Sequence, residues 1–173
     1  MDDLEQSGDG TPSLPQVCGK IEPRLPSSAL RNAPLHRSFK AVEQAFRQQF
    51  LHRMRQENIE LFPGAAPLIL HLGDEDGLTM SELGKRCGLE SSTMTPLVDE
   101  LERRRLIDRM RAPEDRRVIR LHLTTAGHAL EPRLRILLLD LQSAALCNIP
   151  DTDLAAMHRV LESILANLGA HSD

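Results

Sequence analysis

Two short runs of apolar residues at helical spacing, separated by one glycine-containing turn, constrain this chain more than any other feature. The first places Met80, Leu83 and Cys87 at i, i+3 and i+7 behind Thr79-x-x-Glu82 and stops at Gly88. Thr79 and Glu82 have the spacing of a capping box, in which each side chain satisfies a backbone N–H of the first turn, and a glycine after the last turn ends a helix cheaply. The second run places Met94, Leu97, Val98 and Leu101 at i, i+3, i+4 and i+7, with Ser91 or Ser92 available as its cap. Two short amphipathic helices on a brief turn predict a helix-turn-helix. Pro96 has no N–H and disfavours a helix interior, so it is expected near the first turn, with a slight irregularity there. Cys87 reads most simply as a small buried hydrophobe.

The segments that follow add a hairpin. Ile107 to Arg111 and Val118 to Leu123 are short, mixed apolar and basic stretches separated by Ala112-Pro113-Glu114-Asp115-Arg116-Arg117. They predict two strands with a basic tip. Upstream, Leu35, Phe39, Val42, Phe46, Phe50 and Met54 recur every three or four residues, which predicts one long amphipathic helix from Leu35 to about Leu61. Its Phe stripe reads as core or dimer packing. A shorter helix around Leu68, Ile69 and Leu72 ends at the turn Gly73 to Gly77. Downstream, Thr124 or Thr125 caps a helix carrying Leu130, Leu134, Leu137 and Leu141, Pro150 breaks the chain, and a last helix aligns Leu154, Met157, Leu161, Ile164, Leu165 and Leu168. The predicted fold is mainly α with a small β-hairpin wing. A winged helix-turn-helix over 63–123 is flanked by helices over 35–61 and 124–168, within a domain of 35–173. Residues 1–34, with five prolines and no hydrophobic period, are expected to be a flexible tail.

Composition narrows the function. Aromatic residues are 2% of 173, with no Trp or Tyr, which argues against modules that stack single-stranded bases on rings. Duplex binding needs no such rings. The net charge of -4 excludes a histone-like polycation, yet Arg103, Arg104, Arg105, Arg109, Arg111, Arg116, Arg117 and Arg120 outnumber Asp108, Glu114 and Asp115 in one stretch. That is a local basic stripe on an acidic protein. Cys18, Cys87 and Cys147 lack metal-ligand spacing, so neither a zinc site nor a disulfide framework is expected, and no cofactor is implied. With no long apolar run and an acidic N-terminus, the chain is expected to be soluble and cytoplasmic. Ser, His, Asp and Cys form no nucleophile constellation, and no glycine-rich phosphate loop is present, so an enzyme is not expected.

A major groove admits one helix, whose N-terminal short polar side chains meet base edges. Ser91, Ser92, Thr93 and Thr95 occupy that end of the second helix, and Pro96 and Asp99 share its outer face. The same hydroxyls also read as plain caps and surface. At the hairpin tip, Arg117 is expected to enter a minor groove and Arg116 to meet backbone phosphate, with Asp115 orienting the tip by pairing with an Arg. Lys85, Arg86, Arg103 and Arg104 are further phosphate candidates.

The run Leu78 to Glu102, then Leu106-Ile107-Asp108-Arg109, then Ala112 to Gly127, resembles the MarR (multiple antibiotic resistance regulator) family of bacterial winged-helix transcription factors. Asp115-Arg116-Arg117 matches the family's D-x-R wing motif, and Leu123-Thr124-Thr125-Ala126-Gly127 its L-T-x-x-G. The resemblance implies a transcriptional regulator that binds double-stranded DNA at a pseudo-palindromic operator, as a homodimer joined through its first and last helices, more often a repressor, released by a small ligand or oxidant. Ser92 to Leu97 is similar to the recognition helix of organic-hydroperoxide-sensing members, but their first-helix Cys and Tyr partners have no counterpart here. Arg105 stands where many members have Gly, which implies a turn that is either more extended or strained. For an effector, the resemblance makes His36, Arg47, His52, Arg53 and His71 conceivable anchors, each of which also reads as solvated surface, while Cys87 is a candidate redox sensor. The alternative is a winged-helix module that binds protein without touching DNA.

Overall fold

The computed structural model describes residues 34–62, 64–113 and 115–169. The expected tail, 1–34, lies outside these except for Pro34. In chain order the elements are α1 (Leu35–Gln56), α2 (Ala65–Asp74), β1 (Leu78–Thr79), α3 (Met80–Cys87), α4 (Ser91–Arg103), β2 (Ile107–Arg111), β3 (Ile119–Leu123), α5 (Thr125–Leu146) and α6 (Asp151–Asn167). The described residues fall into two compact units, 34–142 in one and 143–169 in the other.

The core of the larger unit is built from the periodic residues of the sequence. Leu68, Ile69 and Leu72 of α2, Leu83 of α3, Met94, Val98 and Leu101 of α4, Ile107, Leu121 and Leu123 of the hairpin, and Leu134 of α5 are all buried in one cluster, which Met54 of α1 joins. Among the described residues no polar or charged side chain is buried. The helix-turn-helix therefore hangs on apolar packing, with its polar groups left outside.

Four local expectations are corrected. The sheet has three strands in the order β1-β3-β2, because Leu78 and Thr79 pair antiparallel with Leu121 and Arg120. Two residues are too few to show an alternating pattern. The cap of α4 is Glu90, whose carbonyl accepts from the N–H groups of Thr93 (2.9 Å) and Met94 (3.0 Å), so Ser91 and Ser92 are already helical. Pro96 consequently falls in the second turn of a helix that runs unbroken from Ser91 to Arg103, and the Thr95 hydroxyl beside it donates to the Ser91 carbonyl at 3.1 Å. Helix α1 ends at Gln56, short of Leu61, where the chain turns through Asn58 at φ 52°. In the C-terminal unit, Cys147 is disulfide-bonded, against the expectation of no disulfide.

Two caps anticipated in the sequence are present. Thr79 and Glu82 form a reciprocal capping box, and the backbone and side-chain hydrogen bonds from Thr79 hold the Glu82 carboxyl below its usual range. Thr124, rather than Thr125, caps α5 by accepting from Gly127 N–H at 3.1 Å. The C-terminal helix α6 carries no buried residue, and its Met157, Val160 and Leu165 are exposed.

Candidate nucleic-acid interface

The turn between α3 and α4 is set by Gly88, whose left-handed φ of 63° lets Leu89 N–H return to the Gly84 carbonyl at 2.8 Å. A side chain at Gly84 would crowd Leu89 O and Met94 Cγ, so the two helices approach closely there. With Met94, Val98 and Leu101 buried, Ser91, Ser92, Thr93, Thr95, Pro96 and Asp99 are all exposed on one side of α4. The sequence reading of which residues face outward thus agrees with their exposure.

At the tip of the hairpin the backbone closes through Ala112 N–H to Val118 O (2.9 Å) and Val118 N–H to Asp115 O (3.0 Å). Asp115 Oδ1 accepts from the backbone N–H of Arg117 at 2.9 Å. Asp115 therefore orients the tip through the main chain and not by pairing with a guanidinium, which corrects the sequence expectation. Arg116 and Arg117 are exposed at the surface of this turn. A two-residue side-chain-to-backbone bond of this kind fixes the turn locally and leaves both cationic side chains available.

The rest of the basic stripe is largely engaged within the molecule. Arg103 pairs with Glu100 at 2.6 Å, and Arg104 pairs with the same carboxylate at 2.7 Å while donating to Glu60 O and lying 5.8 Å from the Phe62 ring centroid. These two arginines hold the Glu100 carboxyl down at about 2, Arg103 contributing most. Arg86 pairs with Glu75, and Arg109 on β2 reaches both Asp99 (2.5 Å) and Glu102 (2.7 Å) of α4. Lys85 is exposed. Charge counting along the chain could not distinguish these internal partners from free cations, because the acids that engage them lie a helical turn or a strand away.

Behind this face the larger unit contains a cavity of about 540 Å³, with Phe46, Phe50, Met54, Phe62, Leu70 and Leu138 in its walls and Glu43, Arg47, His71, Asp74 and Arg135 as charged or polar groups. Arg47 and His71 were among the sequence anchors; His36, His52 and Arg53 do not line it. Arg135 was missed, since a cation on an apolar helix carries no motif. Its guanidinium is held by Glu131 and by Asp74 at 2.8 Å. Cys87 lines the same cavity, but burial pushes its thiol up to about 11. That is opposite to the activation a sensor thiolate needs, which weighs against Cys87 as a redox sensor. Among the described residues no cluster of metal-ligating side chains occurs, and no helix is long and apolar enough to cross a membrane.

Residues 63–118 match the family model of the MarR family. Among curated proteins, the chain is 35% identical over 68 residues to the HTH-type transcriptional regulator SarZ of Staphylococcus haemolyticus, covering 39% of this chain and 46% of that protein. It is 34% identical over 65 residues to the organic hydroperoxide resistance transcriptional regulator of Bacillus subtilis, covering 38% and 44%. The chain thus spans less than half the length of these relatives. Among solved structures, the transcriptional regulator PA3341 superposes with a TM-score of 0.71 at 26% identity, covering 80% of this chain and all of that one. The transcriptional repressor CouR, solved on a 23-mer DNA duplex, superposes with a TM-score of 0.67 at 24% identity, covering 82% and 99%, which speaks for the fold alone.

Proposed function

Since residues 63–118 carry a MarR-family winged-helix domain, we propose that this chain is a transcriptional regulator that binds duplex DNA through α4 and the hairpin tip. The observation that carries the reading is the tip itself. Asp115 holds the Arg117 backbone, while the Arg116 and Arg117 side chains stay exposed. An arginine presented this way suits the narrow, electronegative minor groove, and its neighbour suits phosphate. Ser92, Thr93, Thr95 and Pro96 then face the major groove, with the N-terminus of α4 directed at the backbone. Arg103 supplies phosphate contact only by sharing its guanidinium with Glu100, and Arg104 serves to hold α4 to the loop at Glu60.

The active species is a homodimer, on a pseudo-palindromic site. Leu35, Phe39 and Val42 on α1, at helical spacing, and Met157 and Leu165 on α6, two turns apart, are exposed apolar residues that a second copy would cover. Repression relieved by a small molecule fits the 540 Å³ cavity, a volume typical of ligand sites. Its walls are mainly apolar, and its basic groups Arg47, His71 and Arg135 already face the carboxylates Glu43 and Asp74, so the cavity suits a largely apolar ligand with a polar group rather than a strongly charged one. The burial that raises the Cys87 thiol supports a ligand over an oxidant as the signal. Fluorescence anisotropy of a labelled duplex from upstream of the coding region, against a scrambled duplex, tests the reading. Tight binding to the first alone supports a regulator acting at that site. Equal, weak binding to both moves weight to a protein-interaction module.

A further inference from the structure

Arg109 lies on β2 directly opposite Leu121, in the row that also holds Ile107. Ile107 and Leu121 are fully buried, so this row faces the core. Further toward the tip, the next pair in the row is Arg111 with Ile119, and both are exposed. In this row the buried apolar pairs therefore run out at Arg109, although Ala112, in the other row and nearer the tip, is buried. At that level its guanidinium reaches across to α4 and holds two carboxylates one helical turn apart, Asp99 Oδ1 at 2.5 Å and Glu102 Oε2 at 2.7 Å. The Arg109 side chain is only 27% exposed. Its planar fork of donors is well matched to two acceptors in fixed positions, which a lysine could not reproduce.

We infer that Arg109 is a positioning residue for DNA binding, a clamp that fixes the wing against α4 so that Arg117 and the hydroxyls of α4 reach adjacent grooves together. The inference rests on the DNA-binding reading above. It assigns Arg109 no contact with DNA: both ends of its guanidinium are occupied by α4. Its effect on binding passes through where Arg117 is held. It also gives a role to Asp99 and Glu102, two acids on a helix otherwise suited to phosphate, where unpaired negative charge would repel the duplex.

A double-mutant cycle distinguishes the clamp from a phosphate contact. Arg109 and Arg117 are separated by part of a strand and half the tip turn, on the order of 10 Å, a spacing at which independent effects add. The measurement is anisotropy binding to the operator duplex by the wild type, R109Q, R117A and the double variant, with circular dichroism confirming that each is folded. The clamp predicts that R109Q and R117A each weaken binding by about tenfold, and that R117A costs no more than about twofold once Arg109 is gone. A second disruption, D99N/E102Q, opens the same clamp while leaving Arg109 in place. It is expected to remove the dependence on Arg117 in the same way, even though it takes negative charge off the DNA-facing helix. Additive losses in R109Q/R117A, or tighter binding by D99N/E102Q with the Arg117 effect intact, would overturn the clamp and leave the DNA-binding reading standing. Failure of the wild type to bind any duplex would overturn both.

Discussion

Arg105 and Gly127 show how single residues set the join between α4, the hairpin and α5. Arg105 adopts a left-handed φ of 57° just past the end of α4, with its N–H on Glu102 O (2.8 Å) and Leu106 N–H on Leu101 O (3.0 Å). This is the paired 5→2 and 6→1 bonding of a Schellman turn, whose pivot is usually glycine. A side chain in that conformation costs roughly 1–2 kcal/mol, partly offset because glycine would lose about 0.5–1 kcal/mol more backbone entropy on folding. Arg105→Gly is therefore expected to raise stability by up to about 1 kcal/mol, read as a higher urea midpoint with unchanged slope. Gly127 is the opposite case. A Cβ there would sit 2.2 Å from the carbonyl oxygen of Leu106, the same oxygen that accepts from Thr124 N–H at 3.1 Å. Backbone cannot yield as a side chain can, so Gly127→Ala should lower stability by about 1–3 kcal/mol in the same denaturation experiment. The L-T-x-x-G pattern visible in the sequence thus has a physical basis: Thr124 caps α5, its hydroxyl also donates to Arg105 O at 2.6 Å, and Gly127 gives the room.

Among the elements, α4 was the most legible and also held the least legible detail. Its apolar period identified which side is buried, because burial of Met94, Val98 and Leu101 follows from helix geometry alone. The pairs of Arg103 and Arg104 with Glu100 lie within the helix at i, i+3 and i, i+4. The reach of Arg109 to Asp99 and Glu102 and of Arg104 to Glu60 O was not legible, because tertiary packing brings those partners near. The strand β1 was missed for the same reason: Leu78 and Thr79 become a strand only when β3 is beside them. Asp76 secures that sheet, accepting from Leu123 N–H at 3.0 Å and pairing with His122 Nδ1 at 2.8 Å. Burial acts to raise its carboxyl, but the bonds from His122 and Leu123 outweigh it and leave it below the ordinary value. Glu100 gives the sharper acid prediction at this scale. Its carboxyl is held at about 2, against 4.5 ordinarily. Its favourable pairing is thus fully present above pH 4.5 and is lost as pH falls through 2. A carboxyl-carbon NMR titration should find the Glu100 midpoint near 2, rising toward the ordinary value in R103Q/R104Q. A wild-type midpoint at 4.5 would mean that the two arginines do not hold this carboxylate in solution.

For the whole molecule, the succession of helices, helix-turn-helix, hairpin and helices was readable from periodicity and turn residues. The cavity was not, because its walls come from α1, α2, α5 and the helix-turn-helix loop, and only folding collects them. Assembly is open to a direct check. With Met157 and Leu165 exposed on α6, the double variant M157D/L165D should sediment as a monomer at micromolar concentration where the wild type sediments as a dimer. The central claim, that the hairpin tip and α4 grip duplex DNA, is tested most directly by the salt dependence of operator binding in the wild type and R117A. If Arg117 meets the negatively charged duplex, the plot of log K against log salt is steep for the wild type, and R117A binds more weakly with a slope shallower by about 1 per Arg117 engaged. A wild-type affinity indifferent to salt, or an R117A line lying on top of the wild-type line, would contradict it.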